Sequence, residues 1–259
     1  MGRGCPPNRS ANPRHRRYST IETMQQDAKT IVITGAGSGI GRACARSLLG
    51  ARHRVVLAGR HSVRLVEAAQ GSPDALVVPT DVTDPDSVDA LFAQAVHRFG
   101  RVDVLFNNAG VFGPRASITD IDDEQWHTVW RTNVDGAVFC ARAAARTMIA
   151  QSPRGGRIIN NGSLAAHRPR PDSLAYAVTK HAISGLTASM LLDLRDVDID
   201  VTQIDIGNAA TEMTAGFTEA SIDVAHVAEM ITHIVGLPVD VSVPNITVMA
   251  RGMKYVGRG

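Results

Sequence analysis

The chain has 259 residues, of which 44% are hydrophobic, and its formal net charge is +2 at pH 7. This length and apolar content are sufficient for one large core, and α/β proteins of this size often form a single domain. No apolar run approaches the roughly eighteen residues of a membrane span, and the N-terminus lacks the hydrophobic stretch of a signal peptide. We therefore expect a cytoplasmic protein without a membrane partner.

The positive charge is concentrated in residues 1–23, which contain five arginines and one glutamate. The remaining residues, 24–259, have a net charge of −2 and do not show the basic footprint of a nucleic-acid-binding protein. Residues 1–23 are rich in Pro, Arg, Ser and Asn, so we predict a disordered basic tail. The tail is either a dispensable extension, an arm that binds an anionic surface, or an organelle-targeting peptide.

The chain contains three cysteines, at positions 5, 44 and 140. Their odd number and their spacing match neither a disulfide framework nor a metal site, so we expect reduced thiols and no bound metal. Cys44 and Cys140 lie in apolar helical patterns, which indicates small buried side chains rather than a redox role.

Strands and helices are predicted to alternate from residue 30 to residue 249. The predicted strands are 30–34, 54–58, 75–79, 102–106, 157–161, 199–205 and one near 245–249. The predicted helices are 40–51, 62–70, 84–99, 123–151, 174–197 and 223–236. Short apolar strands separated by helices indicate a parallel sheet that is covered on both faces. We therefore predict an α/β fold, with one Rossmann-type doubly wound domain over residues 24–259.

A glycine-rich sequence, TGAGSGIG at residues 34–41, follows the first predicted strand and opens the first helix. Glycines permit a tight turn and a close backbone approach to a pyrophosphate, and the helix N-terminus attracts its negative charge. This position in the first βα unit favours dinucleotide binding over a merely structural turn. The candidate binding residues of the turn are Gly35, Gly37, Ser38, Gly39, Ile40 and Gly41.

The end of the second strand bears on the choice of cofactor. An NAD site usually carries Asp or Glu there, to bind the ribose 2′-hydroxyl. This chain instead has Arg60, whose guanidinium suits the 2′-phosphate of NADP, so NADP(H) is favoured and NAD(H) stays possible. Arg60 as a solvated loop charge is the alternative. After the third strand, Asp81 and Val82 are candidates for the adenine site, although Asp81 could equally cap a helix or a turn.

Two further patterns belong to the same predicted pocket. Asn107, Ala109 and Gly110 follow the fourth strand, where small residues allow the backbone to approach a cofactor. Tyr176 and Lys180 lie four residues apart in a predicted helix, so their side chains share one face. A cation beside a phenol favours the phenolate, and we therefore predict that Lys180 lowers the pKa of Tyr176 and makes it a proton donor or acceptor.

These motifs, in this order and at these spacings, resemble those of the classical short-chain dehydrogenases/reductases over roughly residues 28–250. The matching sequences are TGAGSGIG at 34–41, NNAG at 107–110, RTNVDG around Asn133, NNGS ending at Ser163, and YAVTK at 176–180. The resemblance implies a catalytic tetrad of Asn133, Ser163, Tyr176 and Lys180. In that family Tyr transfers the proton, Ser binds the substrate oxygen, Lys also holds the nicotinamide ribose, and Asn positions a water.

The resemblance also implies cofactor contacts from Gly207 and Thr211, and a homodimer or homotetramer. The family usually has Pro-Gly after the sixth strand, whereas this chain has Ile206-Gly207, which we expect to loosen that turn. The lid over the substrate is short, with Met213 and Phe217 as its larger apolar side chains. The opposite wall includes His167, Arg168 and Arg170, which are either solvated charges or selectors of an anionic substrate.

The predicted function is an NAD(P)-dependent oxidoreductase that interconverts a secondary alcohol and a ketone, with a small-molecule substrate and no nucleic-acid partner. The short lid favours relaxed specificity toward small or mid-sized substrates. One alternative is an NAD-dependent dehydrogenase of the same family. A second alternative is a dinucleotide-sensing protein without turnover, because fold alone does not establish catalysis.

Overall fold

The computed structural model describes residues 28–216 and 218–254. The predicted tail at 1–23, the lid residue Phe217 and Cys5 lie outside the described residues. The strands are β1 Thr30–Thr34, β2 Arg54–Gly59, β3 Ala75–Pro79, β4 Val104–Asn107, β5 Gly156–Asn161, β6 Ile199–Ile206 and β7 Asn245–Val248. The α-helices are α1 Gly39–Gly50, α2 Ser62–Ala69, α3 Pro85–Phe99, α4 Asp123–Trp130, α5 Gly136–Ala150, α6 Leu174–Asp193 and α7 Val224–Gly236.

The seven strands form one parallel sheet in the order β3-β2-β1-β4-β5-β6-β7. The chain moves outward from β1 to β3 and then returns to build the other half from β4. This change of direction leaves a crevice at the carboxyl ends of β1 and β4, the usual ligand position in a doubly wound sheet. The predicted fold class is confirmed.

The core lies on both faces of the sheet because successive strand residues point to opposite sides. In β1, Ile31 and Ile33 pack in the cluster with α1, α2 and α7, whereas Val32 packs in the cluster with α3, α5 and α6. Cys44 and Cys140 are fully buried, one in each cluster, and burial raises the pKa of each thiol to about 12. These two cysteines are therefore packing residues, as predicted.

Three predicted elements differ from the structure by more than one residue. β4 begins at Val104 rather than 102, because the Gln151 side chain bonds both the N–H (3.0 Å) and the carbonyl (2.9 Å) of Val102. The predicted helix 174–197 ends at Asp193, and a short 3-10 turn follows over Arg195–Val197. The predicted helix 123–151 consists of α4 and α5, separated by a π-helical turn at Arg131–Asp135.

Aspartate side chains cap the starts of α3 and α7. Asp84 precedes α3 and accepts a hydrogen bond from the Asp86 N–H (3.0 Å). Asp223 precedes α7 and accepts from the Ala225 N–H (2.9 Å). No helix among the described residues is both long and apolar enough to cross a membrane.

Candidate active site

The glycine-rich turn connects β1 to α1 at the crevice of the sheet. Ser38 precedes α1 with extended backbone, and its hydroxyl makes no capping bond to the helix. The first turn of α1 contains no acidic residue. An N-terminus without an internal cap keeps donor N–H groups available to an anion, so the turn suits the pyrophosphate of a dinucleotide.

The turn is tied closely to the segment that follows β4. Thr34 Oγ1 accepts hydrogen bonds from the backbone N–H groups of Asn108 and Ala109, both at 2.9 Å. On the other side of the turn, a Cβ at Gly41 would lie 2.3 Å from the Gly35 carbonyl oxygen, so residue 41 must be glycine for α1 to pack there. Both contacts fix the backbone that borders the crevice.

The crevice continues as one groove from β2 to β6. A cavity of about 330 Å³ and a smaller one of about 160 Å³ share Gly35, Ser38, Arg64, Ala109 and Gly110 in their walls. Together the two cavities contain most residues predicted to bind the cofactor. Those in their walls are Gly35, Gly37, Ser38, Gly39, Ile40, Arg60, Asp81, Val82, Ala109, Gly110, Tyr176, Lys180, Gly207 and Thr211.

Two arginines border the β2 end of the groove. Arg60 follows β2 and is exposed, and Arg64 lies in the first turn of α2. Asp81 also lines this end, and its Oδ1 accepts from the N–H (2.9 Å) and the hydroxyl (2.8 Å) of Thr83. The turn role that the sequence left open for Asp81 is therefore observed. The sequence analysis missed Arg64, although an arginine in the first turn after β2 is a recognisable signal for this end of the groove.

Asn107 has a different position from its neighbours in NNAG. Its side chain is buried and donates to the Ala137 carbonyl (2.8 Å) and to Asn160 Oδ1 (3.3 Å). It therefore ties β4 to α5 and β5, and it does not line either cavity. Asn108, which the sequence analysis did not single out, lines the groove in its place.

Lys180 and Tyr176 lie one turn apart on α6, as predicted. Lys180 Nζ is 5.5 Å from the centroid of the Tyr176 ring and donates to the Asn161 carbonyl at 2.6 Å. Burial lowers the pKa of Lys180 to about 8, and the charge of Asp205 opposes this effect. The lysine is thus a buried base that can lose its proton near neutral pH.

The pKa of Tyr176 differs in direction from the prediction. Burial of the phenol raises its pKa, and this effect outweighs a hydrogen bond with Ser163 and the positive charge of Arg170, which lower it. The prediction considered the cation on the same helix face and not the loss of water around the ring. The ring also packs against Phe112 in a tilted arrangement, with centroids 4.8 Å apart and planes inclined by 31°.

Ser163 and Asn133 are held by backbone contacts. Ser163 follows β5, and its Oγ accepts from the Ala165 N–H (3.1 Å) at the start of a short 3-10 turn, Leu164–Ala166. Asn133 lies in the π-helical turn, where its side chain accepts from the Val111 N–H (2.8 Å) and donates to the Val111 carbonyl (2.9 Å). It also donates to Thr179 Oγ1 at 3.1 Å, beside Tyr176 and Lys180.

Comparison with known proteins gives the family of this fold and site. A family model described as short chain dehydrogenase matches residues 29–221. The chain belongs to the short-chain dehydrogenase family.

Curated relatives support this assignment. An uncharacterized oxidoreductase of Staphylococcus aureus (strain USA300) is 36% identical over 225 residues, which are 85% of this chain and 96% of that protein. A 3beta-hydroxysteroid dehydrogenase of Mediterraneibacter gnavus is 34% identical over 194 residues, 73% of this chain and 68% of that protein. This chain is therefore an oxidoreductase of the same family.

Solved structures have the same architecture. Actinorhodin polyketide ketoreductase, in a variant solved with NADPH, superposes with a TM-score of 0.78 at 26% identity, covering 86% of this chain and 97% of that one. A 3-ketoacyl-(acyl-carrier-protein) reductase from Brucella melitensis, solved with NADH, has a TM-score of 0.81 at 24% identity. This superposition covers 85% of the present chain and 96% of the reductase chain.

In this short-chain dehydrogenase, the wall of the larger cavity contains an ion pair. Arg170, from the segment between Ser163 and α6, pairs with Glu219 and donates to Asn208 Oδ1 at 2.9 Å. The arginine lines the larger cavity. The sequence left open whether Arg170 is a solvated charge or selects an anionic substrate. The structure shows that it is paired with Glu219 and lines the larger cavity. Arg168 donates to the His167 carbonyl at 3.2 Å.

The segment after β6 starts in contact with β7. Ile206 continues β6 in register with Val248, and the Gly207 N–H donates to the Val248 carbonyl at 2.8 Å. The pairing with β7 therefore extends to the start of this segment, and the loosening expected from the absence of the family proline stays a prediction. Thr211 and Met213 follow in the lid and line the larger cavity.

Proposed function

We propose that this enzyme interconverts a secondary alcohol and a ketone, with NADP(H) favoured over NAD(H). The observation that carries the proposal is the placement of Ser163, Tyr176 and Lys180 in the wall of one cavity, which opens into the groove beside the α1 N-terminus. A nicotinamide dinucleotide bound in the groove supplies or accepts the hydride.

The residues around the groove fit such a cofactor from end to end. The turn at 35–38 and the α1 N-terminus would hold the pyrophosphate. Arg60 and Arg64 would bind a 2′-phosphate, and β2 ends without a carboxylate for a free 2′-hydroxyl. Lys180 and Thr211 would contact the nicotinamide end. Relatives of the fold are solved with either NADPH or NADH, so the preference rests on the two arginines.

The side chains at the cavity divide the proton chemistry among them. During ketone reduction, the Tyr176 hydroxyl gives its proton to the developing alkoxide, and it takes the proton back during alcohol oxidation. Ser163, hydrogen-bonded to Tyr176, would donate to the same substrate oxygen and orient the carbonyl. Lys180 would stabilise the phenolate, and Asn133 would keep α6 and the Val111 segment in register with the site.

The substrate wall favours small or mid-sized alcohols and ketones. The lid is short, the larger cavity measures about 330 Å³, and Met213 on the lid is 47% exposed. One relative is named as a 3beta-hydroxysteroid dehydrogenase, so a 3-ketosteroid belongs in any substrate panel. Strict selectivity for the steroid would contradict the proposal of a relaxed, small-substrate site.

The test is turnover of a panel of ketones and alcohols with NADPH and with NADH. We expect activity that is greater with NADPH and that falls about 100-fold or more in Ser163→Ala. Activity with NADH alone would support the proposed oxidoreductase reaction, and it would contradict the proposal that Arg60 and Arg64 select NADP(H). Tight cofactor binding without turnover on the whole panel would instead support a dinucleotide sensor.

A further inference from the structure

Asp205 is a buried carboxylate directly beneath the catalytic serine. It lies near the carboxyl end of β6 with no exposed surface. Its Oδ1 accepts from the Ser163 N–H (3.0 Å) and from Gln203 Nε2 (2.8 Å). Its Oδ2 lies 2.7 Å from His167 Nε2 and accepts from Asn245 Nδ2 at 2.8 Å. The carboxylate is therefore fully hydrogen-bonded, which is the condition for keeping a charge inside a protein.

The contact with Ser163 requires a close approach. A Cβ at Gly162 would lie 2.0 Å from Asp205 Oδ1, so any side chain at position 162 would push the carboxylate away. The Ser163 backbone N–H thus donates to Asp205 Oδ1, and the Ser163 hydroxyl oxygen accepts a hydrogen bond from the Ala165 N–H. A shift of Asp205 would move the serine that is proposed to orient the substrate.

His167 connects the carboxylate to the substrate wall. It follows the 3-10 turn after Ser163, and its side chain is 36% exposed whereas that of Asp205 is 0% exposed. A protonated imidazole would form an ion pair with Asp205 and partly cancel its charge, and a neutral one would leave the charge at full strength.

Other charged groups face this pair from the elements packed against it. Lys180 and Tyr176 approach from α6, and Arg170, which is paired with Glu219, approaches from the substrate wall. The neighbours from β6 itself and from β7 are the neutral amides of Gln203 and Asn245. The charge of Asp205 raises the pKa of Tyr176 and opposes the lowering of the pKa of Lys180.

We propose that Asp205, with His167 as its partner, is a positioning residue that holds Ser163 and places a negative charge beside Tyr176 and Lys180. The inference rests on the proposed function, in which Ser163 and Tyr176 act on the substrate oxygen. Its electrostatic part can be measured without a substrate, so the two proposals can fail separately.

The first test is the alkaline titration of Tyr176. NMR of protein labelled with ¹³C at tyrosine Cζ monitors this titration. The chain has three tyrosines, and Tyr176→Phe identifies the signal of residue 176. Asp205→Asn removes the negative charge and preserves the size of the side chain. We expect the Tyr176 titration to move about one pH unit lower, as for the loss of a neighbouring like charge.

Two variants of His167 provide matched controls. His167→Gln replaces the ring with an uncharged side chain that can still donate a hydrogen bond to Asp205 Oδ2, and it should leave the Tyr176 titration in place. His167→Arg places a permanent cation on Asp205 and should move the titration lower, in the direction of Asp205→Asn. This variant tests the inference even if Asp205→Asn does not fold, which thermal unfolding would reveal.

The second test is the pH profile of alcohol oxidation. In Asp205→Asn we expect the alkaline rise in kcat to begin at lower pH and its plateau to fall about tenfold or more, because Ser163 loses its charged anchor. A folded Asp205→Asn protein with an unmoved Tyr176 titration would overturn the inference, and so would an equal shift in His167→Gln. Absence of wild-type turnover, with the titration shifts present, would overturn the proposed function alone.

Discussion

Arg60 and Arg64 are the residues whose side chains carry the proposed preference for NADP(H). They border the β2 end of the groove, where a 2′-phosphate would be bound. A hydrogen bond to a charged group is worth about 1.5–3 kcal/mol. We therefore expect Arg60→Ala and Arg64→Ala each to weaken NADPH binding by about 10-fold or more and to leave NADH binding nearly unchanged.

Fluorescence titration with both dinucleotides measures this effect. Arg98→Ala, at an exposed arginine on α3 outside the groove, is the matched control and should change neither affinity. Equal losses for NADPH and NADH would show that the arginines bind something common to both cofactors, and the NADP preference would then have no basis.

Lys180 should give the stability of the protein a distinct pH dependence. Burial lowers its pKa to about 8, whereas an unfolded lysine titrates near 10.4. Between pH 8 and 10 the unfolded chain binds more protons, so the free energy of unfolding rises with pH. Above pH 10 the raised pKa of Tyr176 acts in the opposite direction, because the unfolded chain then loses a proton that the folded phenol keeps.

Chemical denaturation of wild type and Lys180→Met at pH 7, 8, 9 and 10 tests this prediction. We expect wild type to gain about 2 kcal/mol relative to the variant across the window from pH 8 to 10. Below about pH 7 the lysine is largely protonated in both states, so the difference between the two proteins should become constant there. If the free energies of unfolding of the two proteins changed in parallel from pH 7 to 10, the pKa of Lys180 would be the same in the folded and unfolded states, which would contradict the prediction.

At the scale of elements, the packing of α1 on the glycine-rich turn is the most sensitive contact of the groove. A Cβ at Gly41 would lie 2.3 Å from the Gly35 carbonyl oxygen, a backbone atom that cannot move aside alone. We expect Gly41→Ala to destabilise the protein by about 2 kcal/mol, within the range for overpacking, and to weaken dinucleotide binding.

The same helix offers a matched substitution for this experiment. A Cβ at Gly50, the last residue of α1, would meet nothing within 4 Å. Gly50→Ala should therefore preserve both the thermal midpoint and cofactor affinity. If Gly41→Ala behaved like Gly50→Ala in both measurements, the close contact between α1 and the turn would be wrong.

The helices and strands show which features of the fold can be predicted from local sequence patterns. Short apolar strands separated by helices, and the glycine-rich turn after the first strand, were sufficient to predict the order of elements and the class of the sheet. The break between α4 and α5 was not predictable, because it depends on Asn133 bonding to Val111, which lies 22 residues away in the chain. The pairing of Ile206 with Val248 on β7 was likewise not visible in the local sequence, because the two residues lie far apart in the chain.

At the scale of the whole molecule, the proposed tetrad comes from local sequence motifs, whereas the groups that surround it come from distant segments. Asn133, Ser163, Tyr176 and Lys180 belong to recognisable local motifs. The groups that tune them come from distant segments: Asp205 reaches Ser163 across 42 residues, and Arg170 reaches Glu219 across 49. The direction of the Tyr176 pKa depends on burial and on these charges, which no single motif contains.

The basic N-terminal segment should be separable from the catalytic fold. The family match begins at residue 29, and the groove is built from residues after β1 begins at Thr30. We expect deletion of residues 1–23 to leave turnover and cofactor affinity unchanged, and to leave the proposed homodimer or homotetramer intact. Steady-state kinetics and light scattering of both forms measure this, and loss of turnover or of assembly would give the segment a role in the core enzyme.

The most direct test of the account is kcat for ketone reduction at saturating NADPH in wild type and in Tyr176→Phe, with NADPH affinity measured in parallel. The phenylalanine variant keeps the ring that packs against Phe112 and removes only the proposed proton donor. We predict that kcat falls about 100-fold or more while NADPH affinity changes less than about twofold. A variant that retains wild-type kcat would contradict proton transfer by Tyr176, and with it the proposed mechanism.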